Sequence, residues 1–480
     1  METHPVPEVE EAKKGRTKPK KEIDSLDKIE AEGVEELQEK LKGMKISKKL
    51  KKKLLKEEAE RQKILAYDPA FHCLKCKEKE GIIINRGDRS CESCFKQGCI
   101  HRFKTNLRNS LKIWKDNSNL ICVSGGPNSM AMLHLMHVSL FGESQRKMFF
   151  KVHIVHIDDG VVYGWDEEKR NTNIQLFKDA CEKYKFEYTI LSLESVFDVE
   201  KLNPNTKEFT PPIEDSKEYV NHHYQSTEEN AEKLRELLKY PSELCSSRED
   251  LIFNLKKWLL LDFALKFGFK KLLLGCTAVK VTSKVMSEIA KGRGLSLPND
   301  VCFVDDRYLE DIKFMNPMRD YLLNEIQQYN KFNEVSVIER TSISLNNSKK
   351  AKKLPGFGSM NLLCEEFINE LQVSNVQTVH TVLRTSNKLK LGIVEDESKN
   401  YCVLCYGLVD HATNILEVGS HIKSVSLEGE LDLMESENDT WNTEFEQHLC
   451  FGCKRIMENA VDKERLIDSL PTFIKENAGL

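Results

Sequence analysis

The sequence lacks any long apolar run. No segment approaches the roughly 20 consecutive apolar residues that a membrane-spanning helix needs. The first residues, Met1 to Glu11, also lack the apolar stretch of a signal peptide. We therefore expect neither a transmembrane protein nor a secretory signal peptide, and no membrane partner.

The sequence also lacks an excess of either positive or negative charge. The 72 Lys and Arg residues nearly balance the 76 Asp and Glu residues, for a formal net charge of -4 over 480 residues. This balance excludes a uniformly basic nucleic-acid coat but leaves local basic patches open. Residues 1–68 read as a charged extension, disordered or partly helical, which is either solvated or docks RNA or a partner.

Cysteine, in contrast, is plentiful. Fifteen is an odd number, which disfavours a disulfide framework and favours a reducing compartment. Two Cys-x-x-Cys pairs lie close together and predict a zinc-ribbon-like module over residues 69–110. Two more pairs predict a second quartet, since the entropy of closing a long loop grows only logarithmically with its length. The first quartet is Cys73, Cys76, Cys91 and Cys94, and the second is Cys402, Cys405, Cys450 and Cys453.

Four thiolates leave no open coordination position, so the expected metal is structural zinc. An iron–sulfur cluster remains an alternative in either quartet. Replacement of one ligand by His411 or His448 remains open in the second.

Residues 111–340 alternate short apolar runs with helical segments. This rhythm predicts an α/β fold of right-handed βαβ units on a parallel sheet, with an insertion near 204–247. A linker over 341–361 and a C-terminal region over 362–480 follow. The predicted strands are Leu120–Val123, Phe150–Ile157, Tyr188–Leu193, Lys271–Gly275 and Val301–Val304. The predicted helices are Met130–Leu140, Glu167–Tyr184, Leu251–Phe267 and Met318–Tyr329.

A glycine turn joins the first of these strands to the first helix. It reads Ser124-Gly125-Gly126-Pro127-Asn128-Ser129. The glycines allow an anion to approach the backbone, while the Ser124 and Ser129 hydroxyls and the helix amides supply donors to a phosphate. Alternatively, this turn is an ordinary tight connection between a strand and a helix, with no bound phosphate.

This turn resembles the SGG-x-DS pyrophosphate loop of the N-type ATP pyrophosphatases, the adenine-nucleotide alpha-hydrolase (PP-loop, Rossmann-like) fold. The end of the second strand, His156 to Gly160, is similar to that family's strand at the adenosine, and the resemblance assigns Asp158 to the nucleotide site. The segment Asn316 to Asp320 looks like its Arg-Pro-Leu segment. With the N-terminal cysteine pairs, the chain resembles the wobble-uridine thiolation branch, and within it the cytoplasmic tRNA 2-thiolation protein 2 family.

The resemblance implies a subunit of a heterodimer with the catalytic thiolase. Such a complex places sulfur from a thiocarboxylated ubiquitin-like carrier on the wobble uridine (mcm5s2U) of the Lys, Glu and Gln tRNAs. This chain would stabilise the thiolase and widen the tRNA-binding surface. The basic candidates for tRNA contact are Lys96, His101, Arg102, Lys104, Arg108 and Lys112.

Departures from the family's pattern indicate a degenerate site with no catalytic residue. Asn128 stands where active members carry Asp, and Val279 and Lys280 stand where they carry paired acids. Magnesium offsets triphosphate charge in that chemistry, so their loss removes transition-state stabilisation and leaves ATP binding open. Cys122 and Cys276 flank the loop, and we interpret them as buried apolar residues instead of sulfur carriers. An ATP-dependent tRNA sulfurtransferase active alone, and a zinc-stabilised adaptor without RNA binding, remain the alternatives.

Overall fold

The computed structural model describes residues 71–85, 87–113, 119–142, 147–207, 223–241, 245–338, 359–375, 377–390, 400–409 and 444–480. The predicted extension, most of the predicted linker, the middle of the predicted insertion and His411 lie outside these ranges. The chain divides into two compact units, Met1–Gln97 and Gly98–Leu480. No helix in the described ranges is long and apolar enough to cross a membrane.

The described part of the first unit is a small hairpin module. Strands β1 (Ile83–Asn85) and β2 (Asp88–Ser90) pair antiparallel. Their turn contains Gly87 at a φ of +91°, a conformation that glycine adopts without strain. Helix α1 (Glu92–Thr105) begins directly after the hairpin and ends in the second unit.

A six-stranded sheet forms the centre of the second unit. Its strands are β3 (Asn119–Cys122), β4 (Val152–Asp158), β5 (Tyr188–Ser192), β6 (Lys271–Leu274), β7 (Val304–Asp305) and β8 (Lys313–Met315). They lie in the order β5-β4-β3-β6-β8-β7, and all neighbours are parallel except β7 and β8. The α/β parallel-sheet fold class is therefore confirmed. The chain reverses its winding at β3, where doubly wound folds open a crevice at the carboxyl ends of the strands.

The central strands β3 and β6 are largely apolar and buried, as is typical of parallel strands. The remaining helices of the second unit differ widely in length. In chain order they are α2 (Pro127–Phe141), α3 (Glu167–Lys183), α4 (Glu228–Leu237), α5 (Cys245–Lys266), α6 (Ala278–Ala290), α7 (Leu297–Asp300), α8 (Leu323–Phe332), α9 (Met360–Ser374), α10 (Gln377–Ser386), α11 (Phe451–Glu458), α12 (Lys463–Asp468) and α13 (Thr472–Glu476).

The last part of the chain shares the core of the sheet. Trp258 of α5 packs against the rings of Tyr406 and Phe473, at centroid distances of 5.5 and 5.6 Å. Its indole nitrogen donates to the Leu404 carbonyl at 2.9 Å. The segment of the second cysteine quartet is therefore integral to this unit.

The prediction of a strand over Val301–Val304 is wrong. Val301 is the C-cap of helix α7, and only Val304–Asp305 forms a strand, which pairs antiparallel with β8. The helix predicted from Met318 begins instead at Leu323, because the preceding residues form tight turns. In these, the amide of Arg319 donates to Asn316 and that of Tyr321 to Met318.

Candidate nucleotide loop and metal centres

The glycine turn lies at the carboxyl edge of the sheet, between β3 and α2. Gly126 is the N-cap of α2, and Pro127 occupies a first-turn position that needs no amide donor. The Ser129 hydroxyl donates to the Gly126 carbonyl at 3.0 Å and lies 3.2 Å from the Ser124 hydroxyl. Within the described ranges, no group accepts from the amides of Gly125 and Gly126. The turn thus keeps donors that can bind a phosphate.

The chain segment after α8 contacts this loop. The Ile338 amide donates to the Gly125 carbonyl at 3.0 Å, and a Cβ on Gly125 would lie only 3.1 Å from the Cβ of Ile338. Gly125 also has a φ of +89°. Glycine is required here by both the backbone angle and the close approach.

Asn128 donates from its Nδ2 to the Thr277 hydroxyl at 3.4 Å. Its Oδ1 is buried without a hydrogen-bond partner among the described residues. A neutral amide supplies no negative charge to a magnesium ion, which prefers carboxylate ligands. The position is therefore filled by a residue that links α2 to the turn after β6.

Val279 and Lys280 lie at the start of α6, at an interface between helices. Helix α6 packs against α9 and α10. Val279 is 2% exposed and belongs to an apolar cluster with Ile368 and Val379. The Lys280 ammonium lies 2.6 Å from the Glu365 carboxylate. Both side chains therefore have contacts that an acid pair would break.

Asp158 at the end of β4 is engaged within the protein. Its Oδ1 accepts from the Gly160 amide at 3.0 Å, and its Oδ2 accepts from Arg170 Nε at 2.8 Å. The same guanidinium lies 2.8 Å from Glu194, while Asp159 pairs with Lys256. The carboxylates at this end of β4 therefore already have cation partners.

The first cysteine quartet is held by a knuckle and a helix start. The Lys77 amide donates to the Cys73 carbonyl at 2.8 Å, with Lys77 in the left-handed region at a φ of 57°. Cys91 directly precedes α1. Burial opposes ionisation of Cys73, but hydrogen bonds from the backbone amides of Cys76, Cys91 and Lys75 lower the pKa of this thiol to about 6.

The second quartet repeats this arrangement inside the large unit. The Tyr406 amide donates to the Cys402 carbonyl at 2.9 Å, with Tyr406 at a φ of 62°. Cys450 is the N-cap of α11. The Gly407 amide donates to Cys405 Sγ at 3.3 Å.

Cations surround the second quartet. An Arg293 nitrogen lies 3.8 Å from Cys453 Sγ, and the Lys257 ammonium donates to the Cys405 carbonyl at 3.0 Å. Hydrogen bonds from the other thiols, with Arg293 as a further cause, hold the pKa of Cys405 well below its usual range. These contacts would offset part of the negative charge of four thiolates if a divalent ion were bound there.

Both quartets fit a single tetrahedral ion. In each, the four Sγ atoms lie within 4.8 Å of one another. Neighbouring sulfurs are 3.8 Å apart for Cys76 and Cys91 and 3.5 Å apart for Cys405 and Cys450. A zinc ion with Zn–S bonds of about 2.3 Å needs sulfurs about 3.8 Å apart. An iron–sulfur cluster binds thiolates on separate irons, which spreads the sulfurs further.

The residues proposed for tRNA contact differ in their surroundings. Lys96 forms an ion pair with Glu92 at 2.7 Å. Arg102 donates to both oxygens of Glu325, at 3.2 and 2.8 Å, and its guanidinium lies 4.2 Å from the Tyr321 ring.

The other members of the set range from exposed to buried. His101 and Lys112 are exposed, and Arg108 is half-buried. Lys104 is buried, and burial together with the nearby charge of Arg108 lowers the pKa of its ammonium. His101, Arg108 and Lys112 therefore remain the most accessible of the predicted basic contacts.

Cys122 and Cys276 do not have the surroundings of reactive thiolates. Desolvation raises the pKa of both thiols, which favours the uncharged form at neutral pH. Sequence reasoning missed the contacts of Ile338, Arg170 and Arg293. Ile338 and Arg293 contact residues far away in sequence, the acidic partners of Arg170 lie 12 and 24 residues from it, and no local motif marks any of these contacts.

The chain is similar in sequence to known proteins. The family model described as "Cytoplasmic tRNA 2-thiolation protein 2" matches residues 359–455, which include α9 and α10. A relative with that description from Danio rerio is 29% identical over 421 residues, covering 79% of this chain and 82% of the relative. One from Homo sapiens is 27% identical over 379 residues, covering 70% and 72%.

Among solved structures, the U34-tRNA thiolase NcsA from Methanococcus maripaludis, with its 4Fe-4S cluster, is similar over 68% of this chain and 93% of that chain. Its sequence identity is 13% and its TM-score is 0.44. A further relative, "Cytoplasmic tRNA 2-thiolation protein 2-B" from Xenopus laevis, is 29% identical over 380 residues, covering 70% of this chain and 72% of the relative. The chain is therefore similar to proteins described as cytoplasmic tRNA 2-thiolation protein 2.

Proposed function

We propose that this chain is a non-catalytic subunit of the cytoplasmic complex that thiolates the wobble uridine of the Lys, Glu and Gln tRNAs. It forms a heterodimer with the catalytic thiolase, which takes sulfur from a thiocarboxylated ubiquitin-like carrier. The chain stabilises that partner and widens the surface that binds tRNA. The names of its relatives support the process and the cytoplasmic location.

The replacement of the acid pair carries the non-catalytic part of this proposal. Val279 is buried against α9 and α10, and Lys280 pairs with Glu365. Both helices lie within the region that the family model matches. Asn128 is neutral, and Asp158 is held by Arg170. The edge of the sheet therefore keeps its anion-binding amides while its nearby acids are replaced or paired, which suits a retained fold without magnesium chemistry.

Both quartets bind structural zinc in this proposal. Each set of four thiolates would fill the coordination sphere, so the metal would stabilise its local fold and would offer no position to a substrate. The Sγ separations and the donor set support this assignment.

Deletion of the chain in cells tests the proposal. Mass spectrometry of the wobble nucleoside should show loss of the 2-thio group, restored by the wild-type chain. The variant Ser124→Ala should restore it equally, because no triphosphate depends on this exposed hydroxyl. Thiolation that persists without the chain would overturn the proposal.

Two other outcomes would each support one of the alternative functions. If Ser124→Ala accumulates normally but fails to restore thiolation, and the purified chain releases pyrophosphate from ATP in the presence of tRNA, the chain is an active sulfurtransferase. If thiolation requires the chain but neither it nor its complex with the thiolase retains tRNA on a filter at low salt, it is an adaptor without RNA binding.

A further inference from the structure

Two aromatic side chains are stacked at the carboxyl edge of the sheet, just beyond β4. The rings of Tyr163 and Trp165 lie 4.9 Å apart at an interplanar angle of 25°. Both residues are partly exposed, and the ammonium of Lys169 lies 4.7 Å from the Trp165 ring centroid. We call Tyr163 and Trp165 the aromatic platform.

The backbone fixes this platform in place. A short 3-10 helix (Gly160–Tyr163) ends at Gly164, whose φ is +64°. The Gly164 amide donates to Val161 and the Trp165 amide donates to Gly160, both at 3.1 Å. This pair of bonds has the pattern of a Schellman motif, which closes a helix end with little freedom.

A buried ion-pair network anchors the same turn. The Arg170 side chain lies on Gly160, where an added Cβ would be 2.6 Å from Arg170 Cγ. Arg170 in turn binds Asp158 and Glu194. A rigid aromatic surface loses little conformational entropy when a flat ligand stacks on it.

The charges around the platform favour an uncharged ring over a phosphate. Three acids, Asp166, Glu167 and Glu168, follow Trp165 directly and are exposed. They disfavour an anionic backbone close by. Lys169 covers the Trp165 ring with a flexible, exposed side chain that can move away. The site therefore matches the face of an unpaired nucleobase, since every base can stack on an aromatic ring.

We propose that the aromatic platform stacks an unpaired base of the RNA substrate. This inference rests on the proposed function, because it names the place where this subunit holds the tRNA. It assigns base stacking to the edge of the sheet that carries the glycine turn, where doubly wound folds bind their ligands.

The test uses the full chain in complex with its thiolase partner and an RNA hairpin with an unpaired, uridine-containing loop. Trp165→Ala should weaken binding of this hairpin about tenfold and leave binding of a fully paired duplex of the same stem unchanged. Trp165→Phe should retain most of the affinity. Phe149→Ala is the matched control, because it removes an aromatic ring that is 79% exposed elsewhere in the same unit.

Tryptophan fluorescence supplies a second readout. The chain has four Trp residues, so the difference between wild type and Trp165→Phe isolates the Trp165 signal. The hairpin should quench that difference signal, and the duplex should not. Thermal melting of each variant checks that the fold is intact.

Several results would overturn the inference. Equal hairpin affinity for wild type and Trp165→Ala contradicts stacking while leaving the proposed function standing. Loss of co-purification with the thiolase, at unchanged RNA affinity, assigns the platform to a protein contact. If the wild-type complex binds no tRNA at all, the RNA-binding part of the proposed function fails together with the inference.

Discussion

Arg102 differs from the other basic residues predicted to contact tRNA because its charge already has a buried acidic partner. It forms two hydrogen bonds to Glu325, whose side chain is 2% exposed. Arg102→Ala should lower the free energy of unfolding by about 3 kcal/mol, since an unpaired carboxylate would remain in a low-dielectric site. Urea denaturation measures this change, and unchanged stability would contradict the structural role.

Lys112 provides the matched comparison, since it is basic and exposed. Lys112→Gln should change the free energy of unfolding by no more than about 0.5 kcal/mol. It should weaken tRNA binding by the complex and reduce the salt dependence of that binding, with a slope about one unit smaller. A variant that binds tRNA with the wild-type salt slope would remove Lys112 from the interface.

Gly125 and Gly126 are neighbours that should respond differently to substitution. Gly125→Ala should cost about 2 kcal/mol of stability, because its φ is +89° and Ile338 leaves no room for a methyl group. Gly126→Ala should cost about 0.5 kcal/mol, because its φ is -69° and an added Cβ would find its nearest neighbour, Ser124 Oγ, at 3.9 Å. Chemical denaturation of both variants checks the difference, and equal costs would contradict it.

The sequence alone identified those residues whose structural role depends on their immediate neighbours in the chain. The spacing of Cys73 and Cys76 indicates a knuckle because four successive residues determine that turn. The glycines of the loop are recognisable for the same reason. The partners of Arg102 and Gly125 lie more than 200 residues away, so only the assembled fold brings Glu325 and Ile338 to them.

Helix α6 carries Val279 and Lys280, the positions at which the sequence resemblance predicts paired acids in an active enzyme. Val279→Asp, which restores one acid, should lower the free energy of unfolding by about 3 kcal/mol or more, because it buries a carboxylate among Ile368 and Val379. Lys280→Asp should cost about 1 kcal/mol or less, since Lys280 is 51% exposed and loses a single ion pair.

Thermal and urea denaturation of these two variants measure the difference, with Lys280→Ala as a control for simple loss of the ion pair. Neither acid should confer pyrophosphate release from ATP, because Asn128 is unchanged. Val279→Asp with wild-type stability would show that α9 and α10 do not cover this position in solution.

The sequence predicted the strands and helices that have a strong hydrophobic pattern and missed those with a weak pattern. Strands β3 to β6 lie within a residue or two of their predicted positions because apolar runs flanked by polar turns specify buried parallel strands. Strand β8 has only three residues, too few for a periodic signal. Helix α6 is rich in β-branched Val, Thr and Ile, and packing against α9 and α10 overrides that weak helix propensity.

For the molecule as a whole, the two cysteine quartets should contribute differently to stability. The first lies in a small hairpin module, while the second belongs to the core that contains Trp258 and the sheet. Cys453→Ser should therefore lower the free energy of unfolding of the large unit by about 3 kcal/mol or more, since it removes one of the four proposed metal ligands from that core. Cys76→Ser should unfold the first module and leave the main transition near its wild-type midpoint.

Metal analysis and calorimetry of the full chain distinguish these effects. Two quartets predict two zinc ions in the wild type and one in each variant. Cys302→Ser is the control, because this cysteine belongs to neither quartet and should leave the metal content unchanged.

If Cys453→Ser loses zinc without shifting the main transition, the Trp258–Tyr406 packing holds the C-terminal segment without metal. If Cys76→Ser lowers both transitions, the two units unfold cooperatively, and the first metal stabilises the whole molecule.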